Sequence, residues 1–439
     1  MQGGQEKSLQ PDSAVPGSST NSELSERAQR RNSLVFFLNT ALAYLVGPVF
    51  YVGVLHAAIL NTLGVSNTVA NLPESVSLWV APLPVLIAWI WPSPRLLRPM
   101  LTTALVIQGS AGLVIAGLFV TTPPSWLIAA LVAHAAIIGA MNGVRQMCLW
   151  ELIGRGLSPT LRAKTLAWTF GITPVFAVVG SFASQLVLSG KILNFEILQP
   201  VPEPWKYVVL FGATGPAMLL SAALMALADV PPTPETGTRA GVIEVLSGLR
   251  QYLLNPMILV CALGFLLTYG GTMIMNNLSL YAREAIGSSP EDFAGDQLAL
   301  RFGFKCLAGF ALGWLVLRIH AKASLLATTG ICLAGVAWAL VVPGRWYLLS
   351  FGFLGAGELF YVYYLNYIVG CSAPERIREN TAYTNLIAVA VGFFPVLYGA
   401  ASDLYDLRAS FGVAIAILAA AILIVQLGLP RQPAVARPK

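Results

Sequence analysis

Three charged residues lie well inside long apolar stretches of the sequence, away from their ends: Arg145, Lys305 and Glu358. A charge at the centre of a lipid bilayer costs at least about 2.5–3.5 kcal/mol on insertion scales, so such a residue needs a partner, a water-filled cavity or a function. A buried acid can carry a proton, and a guanidinium can hold an anionic group through two parallel hydrogen bonds. These three residues are therefore the first candidates for substrate binding or ion coupling.

Glu358 lies at the middle of its apolar run, and helical spacing places Tyr361 beside it. We expect Glu358 to carry a coupling proton or to contact the substrate. The alternative interpretation is a static ion pair with Arg145. Lys305 lies near the outer end of its own run, where it could contact the substrate or, with Arg301 four residues before it, face the outer water.

Arg145 shares one helical face with Asn142, and that face could line a cavity. In a cavity, Arg145 would be a fixed cation for an anionic group of the substrate or for a carboxylate of the protein. It could equally belong to a structural charge pair, or extend its long side chain to the membrane interface. The residue type alone leaves these interpretations open.

Two further apolar runs carry stripes of hydroxyl, amide and aromatic groups at helical spacing. Tyr44 and Tyr51 lie on one stripe, and Tyr269 and Asn276 lie on the other. Such groups suit a polar organic solute, which they can bind by hydrogen bonding and stacking. Taken singly, each is more often a contact between helices than a contact with a ligand.

The composition indicates that lipid surrounds much of this chain. Of its 439 residues, 56% are apolar and only 10% are charged, and the mean hydropathy is +0.72. Soluble domains carry about 25% charged residues, so this composition excludes a disordered chain and argues strongly against a soluble enzyme. In lipid, only helices and closed barrels satisfy their own backbone groups. The apolar runs are continuous and long, which predicts helices.

Twelve apolar runs are each long enough to cross about 30 Å of hydrocarbon as a helix. They are 34–60, 73–91, 100–120, 126–153, 165–190, 205–229, 256–282, 299–317, 323–343, 346–371, 381–402 and 410–429. We number them as spans one to twelve. Between spans six and seven, prolines are followed by an amphipathic pattern over Ala240–Leu254, which predicts a helix lying at the membrane surface.

The predicted fold is therefore an all-α membrane protein with twelve transmembrane helices in two six-helix bundles. The expected segments are a disordered cytoplasmic N-terminus at 1–32, a first bundle at 33–230, a cytoplasmic linker at 231–255, a second bundle at 256–430 and a cytoplasmic tail at 431–439.

The loops predict the orientation in the membrane. Of the 26 Lys and Arg residues, 18 lie on the side of the two termini, six lie on the opposite side and two lie inside spans. Positive residues are enriched in cytoplasmic loops, so both termini are expected in the cytoplasm. We expect a multi-pass protein of the cytoplasmic (inner) membrane.

Six spans, a surface helix and six more spans resemble the major facilitator superfamily of secondary transporters. Part of that family's loop pattern, Gly-x-Leu-x-Asp-Arg-x-Gly-Arg-Lys, follows span eight. The matching residues are Gly313, Leu315, Arg318 and Lys322. Leu317 replaces the acid, and after span two only the basic positions Arg95 and Arg98 remain. The resemblance implies alternating access, with spans one, four, seven and ten lining a central cavity and the loop motif taking part in the conformational change.

Other classes of activity lack their residues in this sequence. The phosphate-binding loop of ATP-driven pumps is missing. His56 and His134 are interpreted as lone histidines, so neither a metal nor a cofactor is expected. Basic residues are scattered singly, which excludes a nucleic-acid-binding face.

We therefore expect a monomeric secondary transporter, not an enzyme. Its partners would be a small polar or anionic organic solute, a coupling ion with protons as the first choice, and the lipid bilayer. Two alternatives stay open: a receptor or assembly factor of the same fold that does not transport, and a membrane-embedded enzyme.

Overall fold

The computed structural model describes residues 24–433, apart from 51, 81, 84–86, 88–93, 193–194, 232–240 and 374–375. The chain within these ranges is almost entirely helical. Its one described sheet is a small hairpin after span five, in which Lys191–Ile192 pairs antiparallel with Phe195–Glu196.

The first six spans are helices that alternate in direction. Their bounds are Glu26–Leu45, Gly47–Phe50 and Val54–Thr62 for span one, Asn67–Trp79 for span two, Leu97–Thr121 for span three, Pro124–Gly156 for span four, Pro159–Ser189 for span five and Trp205–Met225 for span six. A short 3₁₀ helix, Pro94–Leu96, precedes span three. Span two begins six residues before the predicted position, because Ser66 caps it by accepting a hydrogen bond from the Val69 amide.

Span one is broken twice, near Pro48 and before Val54. Its first helix ends at Leu45, just before Pro48, and its last helix begins after Gly53. Gly53 has φ 148°, a conformation that other residues rarely adopt. A Cβ atom there would also come 3.1 Å from Asn276 Oδ1 and 3.3 Å from Glu74 Oε1, so a glycine lets spans one, two and seven meet.

The linker helix, Val242–Leu254, packs against the second half of the chain. The Tyr383 hydroxyl donates to the Val245 carbonyl over 2.8 Å, and the Tyr252 hydroxyl lies 2.9 Å from the Thr384 hydroxyl. Leu246 is exposed on the other face, as a helix lying at a membrane surface requires.

The second six spans contain more interruptions. Their helices are Pro256–Thr272, Met275–Leu280 and Ala282–Ile286 for span seven, Ala294–Arg318 for span eight, Ala321–Val341 for span nine, Leu349–Gly357 and Phe360–Cys371 for span ten, Ile377–Asn385, Ile387–Val391 and Phe393–Leu404 for span eleven, and Leu407–Gly428 for span twelve. The 3₁₀ helices Pro290–Phe293 and Gly344–Leu348 precede spans eight and ten. Span ten is interrupted at Glu358 and Leu359, where i to i+3 hydrogen bonds replace the α-helical pattern.

Within the described residues, nine of the spans are helical segments long and apolar enough to cross a membrane, counting the interrupted spans seven, ten and eleven as one segment each. The other three spans have particular features. Span one is broken, span two is described only as far as its first helix, and span eight carries Asp296, Arg301 and Lys305 in its first half.

We call the side on which span one begins and span twelve ends the terminal side, and the opposite side the far side. The two halves of the chain meet where span two packs against span eleven and span five against span eight.

Candidate solute site and the contacts that close it

Glu358 belongs to an ion cluster that joins spans eight and ten. The Arg301 Nη2 atom lies 2.5 Å from Glu358 Oε1, and Lys305 Nζ donates to Glu358 Oε2 over 3.0 Å. The side chains of Glu358, Arg301 and Lys305 are 12%, 18% and 27% exposed. We call these three residues the charge cluster. The attraction between opposite charges offsets part of the cost of placing each group where little water reaches it.

Glycines in span ten allow the charge cluster to form. A Cβ atom on Gly355 would come 2.0 Å from the Arg301 carbonyl oxygen, and one on Gly352 would come 2.8 Å from the ring of Phe304. The two spans can therefore approach closely enough for Glu358 to reach both cations, which follow each other by four residues on one face of span eight. The structure thus gives Glu358 partners other than Arg145.

Arg145 and Asn142 do lie together, as their helical spacing predicts. Arg145 Nη2 donates to Asn142 Oδ1 over 2.9 Å, and the guanidinium carbon lies 5.7 Å from the centroid of the Phe50 ring. Arg145 is buried. These contacts connect span four to span one within the first half of the chain.

A second acid, Glu74, adjoins the charge cluster from the first half. Its Oε2 accepts a hydrogen bond of 2.6 Å from Asn276 Nδ2 on span seven, and the acid interacts electrostatically with Arg301 and Glu358. Sequence reasoning missed Glu74 because span two was predicted to begin at residue 73, near the membrane surface, where a charge costs little. The signal that could have revealed it is Ser66, which can cap an earlier helix start.

Aromatic side chains of spans seven and ten pack together next to this group of charges, with Tyr269 nearest to it. Tyr269 lies 5.5 Å from Phe360 between ring centroids, and Tyr361 lies 5.6 Å from Phe265. The Tyr361 hydroxyl donates to Asn385 Oδ1 over 2.8 Å. These contacts bring the predicted residues of spans seven and ten to one region, beside Glu358.

Span one contributes Tyr44, whose ring meets the edge of Phe302, the residue after Arg301, at 5.9 Å between centroids. Tyr51, the other predicted residue of this stripe, lies outside the described residues. Spans one, seven, eight and ten therefore all approach the charge cluster.

The residues of the loop motif lie away from the charge cluster. Gly313 is inside the helix of span eight, and Arg318 is exposed at its end. Lys322 donates to the carbonyls of Gln426 and Leu429 over 2.6 and 2.8 Å, so it satisfies the C-terminal carbonyls of span twelve. On the first half, Arg95 and Arg98 line a surface groove of about 610 Å³ that also contains Asp229.

Asp403 makes a polar contact between the two halves on the far side. It ends span eleven, and its carboxylate accepts hydrogen bonds from the backbone amides of Asn67 and Thr68 over 2.8 and 2.9 Å and from the Thr68 hydroxyl over 2.6 Å. An acid of the second half thereby caps the N-terminus of a helix in the first half. We call this contact the Asp403 latch.

Asn71 and Asn277 extend the interface between the halves from the Asp403 latch toward the middle of span two. Asn71 Nδ2 donates to Asn277 Oδ1 over 2.7 Å, and Asn277 Nδ2 donates to the hydroxyls of Ser402 and Ser410 over 2.8 and 2.9 Å. This network links spans two, seven, eleven and twelve through buried amide and hydroxyl groups.

A buried ion pair closes the opposite edge of the far side. Lys206 Nζ and the Tyr207 hydroxyl each donate to Glu291 over 2.7 Å, and Lys206 and Glu291 are both almost fully buried. Nearby, the Gly295 amide donates to Gln185 Oε1 over 2.7 Å. The described hydrogen bonds between the halves thus lie on the far side or beside the charge cluster, so this conformation is closed on the far side.

The two histidines of the first half are neighbours, and the interpretation of them as lone residues was wrong. His56 Nε2 lies 3.3 Å from His134 Nδ1, and the edge of Phe211 packs against both rings. Spans one and four cross at this point, which neither residue's own sequence context indicates. Within the described ranges, no group of three or more His, Cys, Asp or Glu residues could hold a metal ion.

The fold can be compared with solved structures. A mutant of the nucleoside transporter NupG superposes with a TM-score of 0.67 at 11% identity, covering 92% of this chain and 100% of that one. A bacterial homologue of the human lysosomal transporter Spinster, inward-facing and unoccupied, gives 0.65 at 15% identity, covering 95% and 100%. The D-xylose–proton symporter gives 0.62 at 15% identity, covering 92% and 97%. No family model and no curated protein matches the sequence.

The chain has the fold of these transporters and of FucP, a major facilitator superfamily transporter. The prediction of an all-α membrane protein with twelve spans in two bundles is confirmed. At these identities the likeness concerns the fold alone, and the function must be argued from the site.

Proposed function

We propose that this chain is a secondary transporter that moves a small polar or anionic organic solute across the cytoplasmic membrane by alternating access. The observation that carries the proposal is the charge cluster at the meeting point of the two halves, beside interrupted helices and beneath a closed far side. The fold supports the same class of function, because the solved structures that share it are named as transporters or a symporter.

The charge cluster offers a binding site whose own charges are already paired. An anionic group of a solute could replace Glu358 beside Arg301 and Lys305, while a hydroxyl or amide group could bond to Glu358 itself. Tyr269, Tyr361 and Asn276 supply hydroxyl, aromatic and amide surface around it. The displaced Glu358 carboxylate would then need a new partner, which a hydroxyl or amide group of the same solute could supply.

The far-side contacts supply the gate. Alternating access requires that these contacts break while contacts on the terminal side form. The Asp403 latch and the pair of Lys206 with Glu291 consist of polar groups that water can solvate after separation. They can therefore open and close repeatedly, and solute would reach the charge cluster from the terminal side in the conformation described here.

We propose protons as the coupling ion and the cytoplasm as the location of both termini. The acid Glu74 beside the cluster supports protons, and the threefold excess of Lys and Arg on the terminal side supports the orientation. Arg145 with Asn142 would form a second polar point on span four. The chain is proposed to act as a monomer.

The test is solute flux into vesicles that contain the purified chain. Labelled nucleosides, sugars, peptides and organic acids are offered with and without an imposed pH gradient. We expect at least one class to accumulate above equilibrium only with the gradient. Capture of a protein partner without flux of any solute class would favour the receptor or assembly factor instead.

Glu358→Gln is the variant for this assay, and Glu196→Gln is its matched control. Glu196 pairs with Lys191 over 2.7 Å on the exposed hairpin, and this bond lowers the pKa of Glu196, so both substitutions remove one ionised carboxylate. We expect Glu358→Gln to change transport and Glu196→Gln to leave it unchanged. Equal effects of both substitutions would contradict the assignment of the site.

A further inference from the structure

We propose that Glu74 is the carboxyl group that gains and loses a proton, with Asn276 as its hydrogen-bonding partner. This inference rests on the proposed function, because the proton on Glu74 is the one whose gradient drives transport. The ligand of the site is the proton itself, and the experiment below detects it without any solute.

The surroundings of Glu358 make it a poor proton acceptor. Two cations lie within 2.5 and 3.0 Å of its two oxygens. A proton would have to replace one of these cations, and the displaced cation would then lose its partner in a poorly hydrated place. Glu358 is suited to organise Arg301 and Lys305 rather than to titrate.

Glu74 has different surroundings. Its Oε2 accepts a hydrogen bond from a neutral amide, Asn276 Nδ2, over 2.6 Å. The charged and titratable groups that face it are Arg301 on span eight, Glu358 on span ten and Tyr269 on span seven. Span one presents the backbone of Gly53. A carboxyl group with an amide as its direct partner can exist with or without its proton at moderate cost.

The amide of Asn276 is prepared for the protonated acid. Its Oδ1 atom is buried and lacks a hydrogen-bond partner. Glu74 Oε1 and Asn276 Oδ1 both flank one point, lying 3.3 and 3.1 Å from the Cβ position of Gly53. Both of these atoms are acceptors, so ionised Glu74 has no hydrogen to offer Oδ1, whereas a proton on Oε1 makes that side of the carboxyl a donor while Nδ2 continues to donate to Oε2. This acid–amide pair satisfies both groups only when the acid carries its proton.

The position of the pair connects the proton to the conformational change. Glu74 belongs to span two and Asn276 to span seven, so the hydrogen bond crosses between the two halves. Ionised Glu74 attracts Arg301 in competition with Glu358, whereas protonated Glu74 leaves Arg301 to Glu358. The proton on Glu74 thereby removes an attraction between the halves, that of Glu74 for Arg301, and favours the intact charge cluster.

The experiment is infrared difference spectroscopy of the full chain in vesicles, with pH as the only variable. A protonated carboxylic acid has its own carbonyl stretching band, separate from those of carboxylates and amides. We expect a band that titrates with pH in the unaltered chain, is lost in Glu74→Gln and is retained in Glu358→Gln. A band that persists in Glu74→Gln, or that disappears only in Glu358→Gln, would overturn the assignment.

Two further measurements keep the inference testable. If Glu74→Gln does not fold, Glu74→Asp is measured instead, because it withdraws the carboxyl group from Asn276 by one methylene. The carbonyl band of the protonated acid should then move in frequency. An unmoved band would contradict the acid–amide pair. In the flux assay, pH-driven accumulation that survives in Glu74→Gln would refute the role of Glu74 while transport stands. A Glu74 band in a chain that moves no solute would instead refute the proposed function and leave the proton site in place.

Discussion

Removal of the Asp403 latch should shift the conformational equilibrium. Asp403→Ala deletes three hydrogen bonds of 2.6 to 2.9 Å between the halves. A capping acid contributes about 0.5–2 kcal/mol, and the three hydrogen bonds that this one accepts favour about 1–2 kcal/mol. Since 1.4 kcal/mol is a factor of ten, the ratio of far-side-closed to far-side-open molecules should fall by about 5- to 30-fold.

Distance measurements between spin labels can detect this shift. Ser125, in the first turn of span four, and Trp346, in the 3₁₀ helix before span ten, are exposed on the far side of the first and second halves, and neither contributes to the latch. Labels there should report a longer second distance in Asp403→Ala, with its population increased by the stated factor. The measurement needs no solute.

Asp406→Ala is the matched control for this experiment. Asp406 also caps a helix, since its carboxylate accepts a hydrogen bond of 2.6 Å from the Ala409 amide, but both residues belong to the second half. The control loses a cap of the same kind without losing a contact between halves. An unchanged distance distribution in Asp403→Ala, or an equal change in Asp406→Ala, would refute the reasoning.

Three other predictions concern charge and orientation. Glu358→Gln should lower the melting temperature, because it leaves two cations without their acid. Adding Lys305→Gln should restore part of the loss, and a double variant less stable than the single one would contradict the charge cluster. Arg145→Lys should weaken binding of an anionic solute, because the ammonium keeps the charge but loses the fork geometry, and unchanged binding would show that Arg145 is structural. Reporter fusions after Pro202 and after Glu291 should report the outside; an inside signal at either site would reverse the proposed topology.

The sequence predicted the spans well because each depends on composition and local periodicity. Helical spacing also placed Arg145 beside Asn142 correctly, since both lie on one helix. It could not predict which residues of different helices meet. Glu358 pairs with Arg301 and Lys305 because glycines let spans eight and ten approach closely, and this distance depends on packing rather than on either segment alone.

The pairing of His56 with His134 depends on packing in the same way. Seventy-eight residues separate them, and their contact requires a particular crossing of spans one and four. Glu74 was missed for another reason. A shift of six residues in the start of one helix moved this acid from the expected edge of the membrane to the centre of the interface between the halves.

The 3₁₀ turn at Glu358 gives span ten an adjustable pitch. Tyr361 and Val362 donate to the carbonyls three residues before them, over 3.3 and 3.0 Å. A 3₁₀ helix advances about 2.0 Å and turns about 120° per residue, whereas an α-helix advances about 1.5 Å and turns about 100°. Conversion of two residues would shorten the span by about 1 Å and rotate the carboxylate by about 40°. This change within span ten could therefore rotate Glu358 away from Arg301 and Lys305 before either bundle tilts.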